Sequence, residues 1–294
     1  MNDKTFSASM APFREAVDRY KDLLDRPLPP PPLHGAPLGT TLRTDRSSAP
    51  CAVLLAPHPD DETLTGGLPL RLRQEEGWRI VVIATTLGSN ETRRTERKAE
   101  LADACAVLDF EGVLPAEEGL NDVTLLNREN DPLAWNEKVA CVQALLQRIA
   151  PQALFIPHSA DGHATHIGTH VLGMDALAEM PKDFSCALIE TEYWTPLRAP
   201  NALIGLAPQT VAQLMAALAC HKGEVARNPY DRRFPAFLID SVRRSEPLFG
   251  AGTATPPFAF GQLCRQGRWI KGRFIPSALR PVRGAEDSLA TLFA

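Results

Sequence analysis

Residues 52–67 read AVLLAPHPDDETLTGG. An uninterrupted apolar run ends abruptly in His58, Asp60, Asp61 and Glu62. Such a run, extended back to Cys51, is what a strand buried on both faces of a parallel sheet requires. The same pattern recurs outward along the chain. RIVVIATT (79–86), ALFIPH (153–158) and CALIETEYW (186–194) read as further strands, with a shorter one near Gly112–Leu114. Helical patterns fall between them, over 63–76, 91–108, 133–149, 164–179 and 208–226. Strand alternating with helix predicts an α/β fold: a three-layer sandwich of a mostly parallel sheet with helices on both faces. In such sheets ligands bind beyond the carboxyl ends of the strands. The chemistry is therefore expected just after residues 56, 86, 157 and 194.

The flanks read differently. Residues 11–26 carry Val17, Tyr20, Leu23 and Leu24 at helical spacing, and PLPPPPLHGAPLG (27–39) is a stiff extended connector. We divide the chain into an N-terminal helix and proline-rich arm (1–50), a central α/β domain (51–250) and a C-terminal extension packed on the same domain (251–294). Within the extension, RWIKGRFI (268–275) is expected to form one strand.

Composition narrows the function. The chain has 294 residues, 44% hydrophobic and 22% charged, with a net charge of −4. A mildly acidic chain lacks the basic stripe that nucleic-acid binding needs. No apolar run approaches the ~20 residues of a membrane span. The N-terminus lacks the basic start and apolar core of a secretion signal. Its six scattered cysteines contain no CxxC pair, which fits reduced thiols and a cytoplasmic location.

Two segments carry candidate chemistry. His58, Asp60, Asp61 and Glu62 crowd four ionisable groups at a strand end, an arrangement that a divalent metal would neutralise. His58 and Asp61 could converge on one ion, leaving Asp60 beside it as a base. An acidic loop capping a helix is the plain alternative. The second segment, FIPHSADGHATHIGTH (155–170), holds His158, Asp161, His163, His166 and His170, four of the seven histidines of the chain. His163, His166 and His170 would lie along one helical face. The His166/His170 pair is no zincin motif, because Ile167 stands where a Glu is needed. Two His and one Asp would leave one position open on a tetrahedral ion, as catalytic sites do. Zinc fits, and other divalent ions also accept mixed N/O ligands.

The segment Pro57-His58-Pro59-Asp60-Asp61-Glu62 resembles the (A/P)HPDDE signature of the PIG-L/LmbE-like deacetylase superfamily. His163-Ala164-Thr165-His166 resembles its later HxxH element. Arg97-Lys98-Ala99-Glu100 with Leu108-Asp109 resembles its RxxE…LG helix, with Asp in place of the Gly. Glu192-Tyr193-Trp194-Thr195-Pro196 resembles an EVWTP stretch of some members, and His221 falls where a later His of the family often does. The resemblance covers residues 51–225. It implies a Rossmann-like fold and zinc-dependent hydrolysis of N-acyl groups, usually acetyl on N-acetylglucosamine moieties. By motif position it implies His58, Asp61 and His166 as metal ligands and Asp60 as general base. It implies that His163 stabilises the oxyanion or protonates the leaving amine. Thr165 departs from the Asp or Asn often found there, leaving His163 without that orienting carboxylate unless Asp161 substitutes.

Around this centre, Asn90, Arg94, Asp122 and Trp194 are the candidate substrate-binding residues; Arg93 and Arg97 lie in the same helical turns as Arg94. The expected partner is a small N-acylated molecule, with a homo-oligomer compatible with the sequence. Two other readings stand beside N-deacetylation: an amidase for a different N-acyl metabolite, and a non-catalytic protein that keeps the metal pocket. A dinucleotide-binding protein is disfavoured, because the first loop is HPDDE and not GxGxxG.

Overall fold

The computed structural model describes residues 9–32, 34–36, 38, 48–249 and 256–293. Parts of the expected arm (residues 1–8, 33, 37 and 39–47) and the start of the expected extension (251–255) lie outside them. A single sheet organises the molecule. Strands β1 (Cys51–Ala56), β2 (Arg79–Ala84), β3 (Glu111–Val113), β4 (Ala153–Pro157) and β5 (Ser185–Thr191) run parallel in the order β3-β2-β1-β4-β5. Every residue of β1, β2 and β4 is buried, as their apolar runs predict.

Alternate residues of β1 serve opposite faces. Ala52, Leu54 and Ala56 join the core under helices α3 (Gly67–Glu75), α4 (Arg94–Leu108), α8 (Pro208–Leu218) and α10 (Tyr230–Arg244). Cys51, Val53 and Leu55 join the core under α6 (Pro132–Ile149), which follows the short α5 (Leu125–Asn130), and α7 (Ala164–Ala178). This is the three-layer α/β sandwich expected from the sequence.

The chain runs outward from β1 through β2 to β3, then crosses back to place β4 on the other side of β1. Strand order therefore reverses between β1 and β4, and the loops leaving their carboxyl ends face each other across a crevice. Those loops are the HPDDE segment and the HATH segment.

Several expectations are corrected. The helix expected over 63–76 is two: α2 (Asp61–Leu64) and α3, interrupted at Thr65 and Gly66. The helix expected over 91–108 begins as a 3-10 turn, Glu91–Arg93, before α4. The helix over 208–226 breaks between α8 and α9 (Lys222–Arg227), where His221 leaves helical geometry with ψ 64°. RWIKGRFI is not one strand. Lys271 (φ 51°) and Gly272 (φ 74°) form a two-residue turn joining β7 (Phe260–Ile270) to β8 (Arg273–Pro276). Two successive positive φ values are what a tight hairpin turn demands.

β7 runs antiparallel between β5 and β6 (Ala202–Leu206), and the short β9 (Val282–Arg283) pairs with β6. The C-terminal segment thus completes the same sheet. The helix expected over 11–26 is α1 (Ala11–Asp25), and it buries none of its residues. It touches the body where Arg232 Nη1 donates to the Leu24 carbonyl at 2.6 Å. In the connector, Gly35 N donates to Asp103 Oδ1 at 2.7 Å. Among the described residues no helix is long and apolar enough to cross a membrane.

Candidate metal centre and active-site cleft

Asp60 is the sharpest local feature. It follows β1 by four residues and adopts φ 119°, ψ −30° at the start of α2. A side chain with a Cβ rarely occupies that region, and holding it there costs of order 1–3 kcal/mol. Its surroundings over-determine it. Glu62 Oε2 accepts from Asp60 N at 2.9 Å, and the Asp60 carbonyl accepts from Thr63 N and Leu64 N at 3.0 Å each. Arg97 Nη2 donates to the Pro59 carbonyl at 3.0 Å. Glu62 is anchored in turn by His221 at 2.7 Å and Thr63 Oγ1 at 3.0 Å.

The turn aims Asp61 at the β4 loop. Its Oδ2 lies 3.4 Å from His58 Nδ1 and 3.3 Å from His166 Nε2. Donors at about 2.0–2.1 Å around a tetrahedral ion stand roughly 3.3 Å apart, so this spacing suits one cation between them. His166 Nε2 is buried and has no hydrogen-bond partner, an orphan that a cation would satisfy. On the other ring edge, His166 Nδ1 lies 3.1 Å from Asp161 Oδ1. A carboxylate behind a ligating imidazole fixes its tautomer and orientation. Asp61 thus has both imidazoles at a spacing a cation suits, while the three imidazoles of His58, His163 and His166 make up the alternative donor set.

His163 also belongs to the cluster. Ligand atoms of His58, His163 and His166 all lie within 4.8 Å of one another. His163 precedes α7, whereas His166 sits in its first turn. His163 stacks near Trp194, with ring centroids 6.2 Å apart at 24°. Asp161, the carboxylate named above as a substitute for Thr165, instead faces His166.

Charge follows the same geometry. Burial pushes the Asp60 carboxyl well above its ordinary range, and the neighbouring Asp61 adds to this; His221 and Arg97 oppose it. Burial also works to raise Asp61, but His166 and His58 outweigh it and hold that carboxyl far below the usual range. Burial pulls His166 down, yet Asp61 and Asp161 prevail and lift it to about 10. His163 is lowered by burial, with His58 and His166 adding to the effect.

A cavity of about 210 Å³ opens onto this centre and includes Asp60, Arg97, His163, Trp194, Glu224 and Tyr230 in its lining. A second, of about 410 Å³, adjoins it and is lined by Arg94, Asp122 and Thr124. Both share His58, Gly88, Ser89 and Thr165, so they form one cleft. Gly88 has φ 84°, and a Cβ there would stand 2.2 Å from Arg97 Nη1. The positive φ favours glycine, and a larger residue there would have to displace the Arg97 guanidinium.

The four candidate substrate residues separate. Trp194, 48% exposed, flanks the metal cluster, whereas Arg94 and Asp122 line the adjoining cavity. Arg94 Nη2 donates to Asn121 Oδ1 at 2.6 Å. Asn90 lines neither cavity; its Oδ1 caps the 3-10 turn, accepting from Thr92 N at 3.1 Å and Thr92 Oγ1 at 2.7 Å. Of the three arginines at 93, 94 and 97, Arg97 is the one beside Asp60. Tyr230, Glu224 and Arg227 come from α9 and α10, and the sequence reading assigned them no role. The sequence HKGEVARNPY holds them, but nothing in its spacing points to the HPDDE loop.

Comparison with known proteins bears on this arrangement. The PIG-L family, described as GlcNAc-PI de-N-acetylase, matches residues 53–177. A Bacillus cereus protein named probable N-acetyl-alpha-D-glucosaminyl L-malate deacetylase 2 is 27% identical over 144 residues. That match covers 45% of this chain and 62% of the relative, so the chain spans about three fifths of the curated relative it matches. Two solved structures share the fold. The N,N'-diacetylchitobiose deacetylase of Pyrococcus horikoshii has a TM-score of 0.52 at 14% identity, covering 88% of this chain and 93% of that one. The 4-carboxy-2-hydroxymuconate hydratase of Pseudomonas putida has a TM-score of 0.56 at 13% identity, covering 74% and 95%. The fold thus serves more than one chemistry, and function has to be argued from the site.

Proposed function

We propose that this chain is a metal-dependent N-deacetylase of the PIG-L/LmbE-like superfamily, acting on a small amino-sugar conjugate. The carrying observation is Asp61 Oδ2, placed 3.3–3.4 Å from one nitrogen each of His58 and His166, with Asp60 next to it in the chain. Matches to the PIG-L family and to the malate-conjugate deacetylase support the substrate class.

In this reading His58, Asp61 and His166 hold the ion, and zinc is the ion best suited to two imidazoles and a carboxylate. When bound, the divalent cation supplies Lewis-acid chemistry, polarising the acyl carbonyl and favouring deprotonation of water. Asp60 accepts the proton of the attacking water at its carboxylate. Its upward-shifted carboxyl is also suited to return that proton to the departing amine. His163, kept neutral at neutral pH, presents one ring N–H to the developing oxyanion, a contribution of about 3 kcal/mol for such a donor. Trp194 offers a half-exposed aromatic face for a sugar ring. Arg94 and Asp122 receive the remainder of the conjugate in the adjoining cavity. Free cysteines throughout support a reducing compartment such as the cytoplasm.

The test is release of primary amine from a panel of N-acetylated compounds: N-acetylglucosamine, its oligomers, nucleotide-linked and lipid-like conjugates, and N-acyl amino acids. The expected result is release from the amino-sugar class that stops with chelator and returns with zinc. Release confined to N-acyl amino acids would replace the substrate class. Release indifferent to chelator, or none from any compound, would overturn the proposal.

A further inference from the structure

A separate cavity of about 630 Å³ lies beyond the Trp194 segment. Arg198, Arg244, Arg265 and Arg280 line it together with Asn201 and Ser277, and no carboxylate does. None of its lining residues lines the cavity at the metal centre. Four guanidinia around one acid-free cavity are unexpected in a chain of net charge −4. Their mutual repulsion is relieved by counter-charge, from behind the wall or from within the cavity.

Behind the wall, two carboxylates near the end of β5 supply part of it. Buried Glu190 accepts from Arg265 Nη1 at 2.8 Å. Buried Glu192 accepts from Arg244 Nη1 at 3.2 Å and also pairs with its Nη2. Arg244 is further held by Asp240, with Nε to Oδ2 at 2.8 Å. These pairs fix two guanidinia in the wall. Arg265 uses only Nη1 in this way, and its Cζ sits 5.2 Å from the Phe274 ring centroid. At the rim, Arg198 and Arg280 have no carboxylate or hydrogen-bond partner among the described residues. Among the described residues the cavity therefore keeps two uncompensated charges and most of the donors of three guanidinia. Planar N–H forks of this kind match the paired oxygens of carboxylate and phosphate.

We propose that this cavity is an anion-binding site for a small, multiply charged oxyanion, either a phosphate ester or a polycarboxylate, distinct from the metal cleft. The inference does not depend on deacetylase activity. Segment 192–201 joins the two places: Trp194 flanks the metal cluster, and residues 196–201 wall the anion cavity.

The test is calorimetric titration of the metal-free full chain with pyrophosphate and, separately, citrate. The comparison protein is Arg198→Ala/Arg280→Ala, whose substitutions are exposed and whose folding is checked by its melting temperature. Saturable binding of at least one probe, weakened tenfold or more in the double variant and by added salt, is expected. The probe that binds more tightly names the oxyanion class. Absence of saturable binding in the wild type would overturn the proposal. So would equal affinity in the double variant, which would show that these two arginines do not hold the anion.

Discussion

His221 Nε2 and Glu62 Oε1 lie 2.7 Å apart, and both residues are 0% exposed. The other carboxylate oxygen of Glu62 accepts from the strained Asp60 backbone. A break between two helices on one side of the sheet thereby holds the conformation of the residue proposed to move protons. Burial works to lower His221, but Glu62, Asp60 and Glu100 outweigh it and raise it. A raised folded-state value means that protonated His221 stabilises the fold. That contribution is full below about pH 6.5, the unfolded value, and is lost as pH rises through the raised folded value. Replacing His221 with Gln is expected to destabilise the protein by about 3–5 kcal/mol, since it leaves a buried carboxylate unpaired. Melting temperatures across pH 5–10 check this. The gap between wild type and variant narrows toward alkaline pH, and a gap of constant size would contradict the linkage.

The φ of 119° at Asp60 predicts an inversion of the usual ranking of substitutions. Glycine normally lowers stability relative to alanine. Here Asp60→Gly is expected to be more stable than Asp60→Ala by about 1–2 kcal/mol, because only glycine adopts this backbone without strain. Both variants lose turnover, since neither carries a carboxyl. Denaturant unfolding of the two, side by side, settles the ranking. Asp60→Asn keeps the shape and is expected to retain stoichiometric metal while losing at least a hundredfold in kcat.

The fold was largely legible because parallel strands buried on both faces are nearly pure apolar runs, and β1, β2 and β4 carry no competing pattern. Since β1 and β4 flank the point where strand order reverses, the two histidine- and acid-rich segments had to meet. Finer assignments needed coordinates. Arg93 ends a 3-10 turn while Arg94 and Arg97 lie in the first turn of α4, and this change of helical phase separates Arg97, which reaches the HPDDE loop, from the other two. That phase cannot be counted from residue 91 as though the helix were regular. The pairing of His221 with Glu62 spans 159 residues and depends on a helix break with no proline or glycine at its centre. Tyr230 reaches the cleft from α10, a helix that was not among those expected from the sequence. The hairpin at Lys271 and Gly272 was hidden because the apolar residues on either side read as one strand.

His163 separates two ligand sets. With Asp61 as the third ligand, His163→Ala keeps one metal per chain and loses catalysis, by about a hundredfold for removal of one oxyanion donor. With three imidazoles as ligands, the same change removes the metal. The distances from Asp61 Oδ2 to both His58 and His166 favour the first outcome. Metal content by elemental analysis, measured beside kcat on the same preparation, distinguishes them.

Metal binding should release a proton. Before the ion arrives, His166 is held protonated by Asp61 and Asp161 at a value of about 10, well above neutrality. A ligating imidazole must give up the proton on its coordinating nitrogen. Asp61 is already ionised, being held low by the same histidines, and contributes none. Near pH 7.5 the expected release is therefore about one proton per ion from this imidazole, so apparent affinity rises about tenfold per pH unit through the neutral range. Titration calorimetry in two buffers of different ionisation enthalpy reads that number directly. The Asp161→Asn variant gives the sharper result. Removing one of the two carboxylates lowers the starting value of His166, so fewer protons are released. It also removes the group that orients the ring, so affinity should fall by about 10- to 100-fold. Unchanged proton release and affinity in Asp161→Asn would show that Asp161 neither charges nor orients His166.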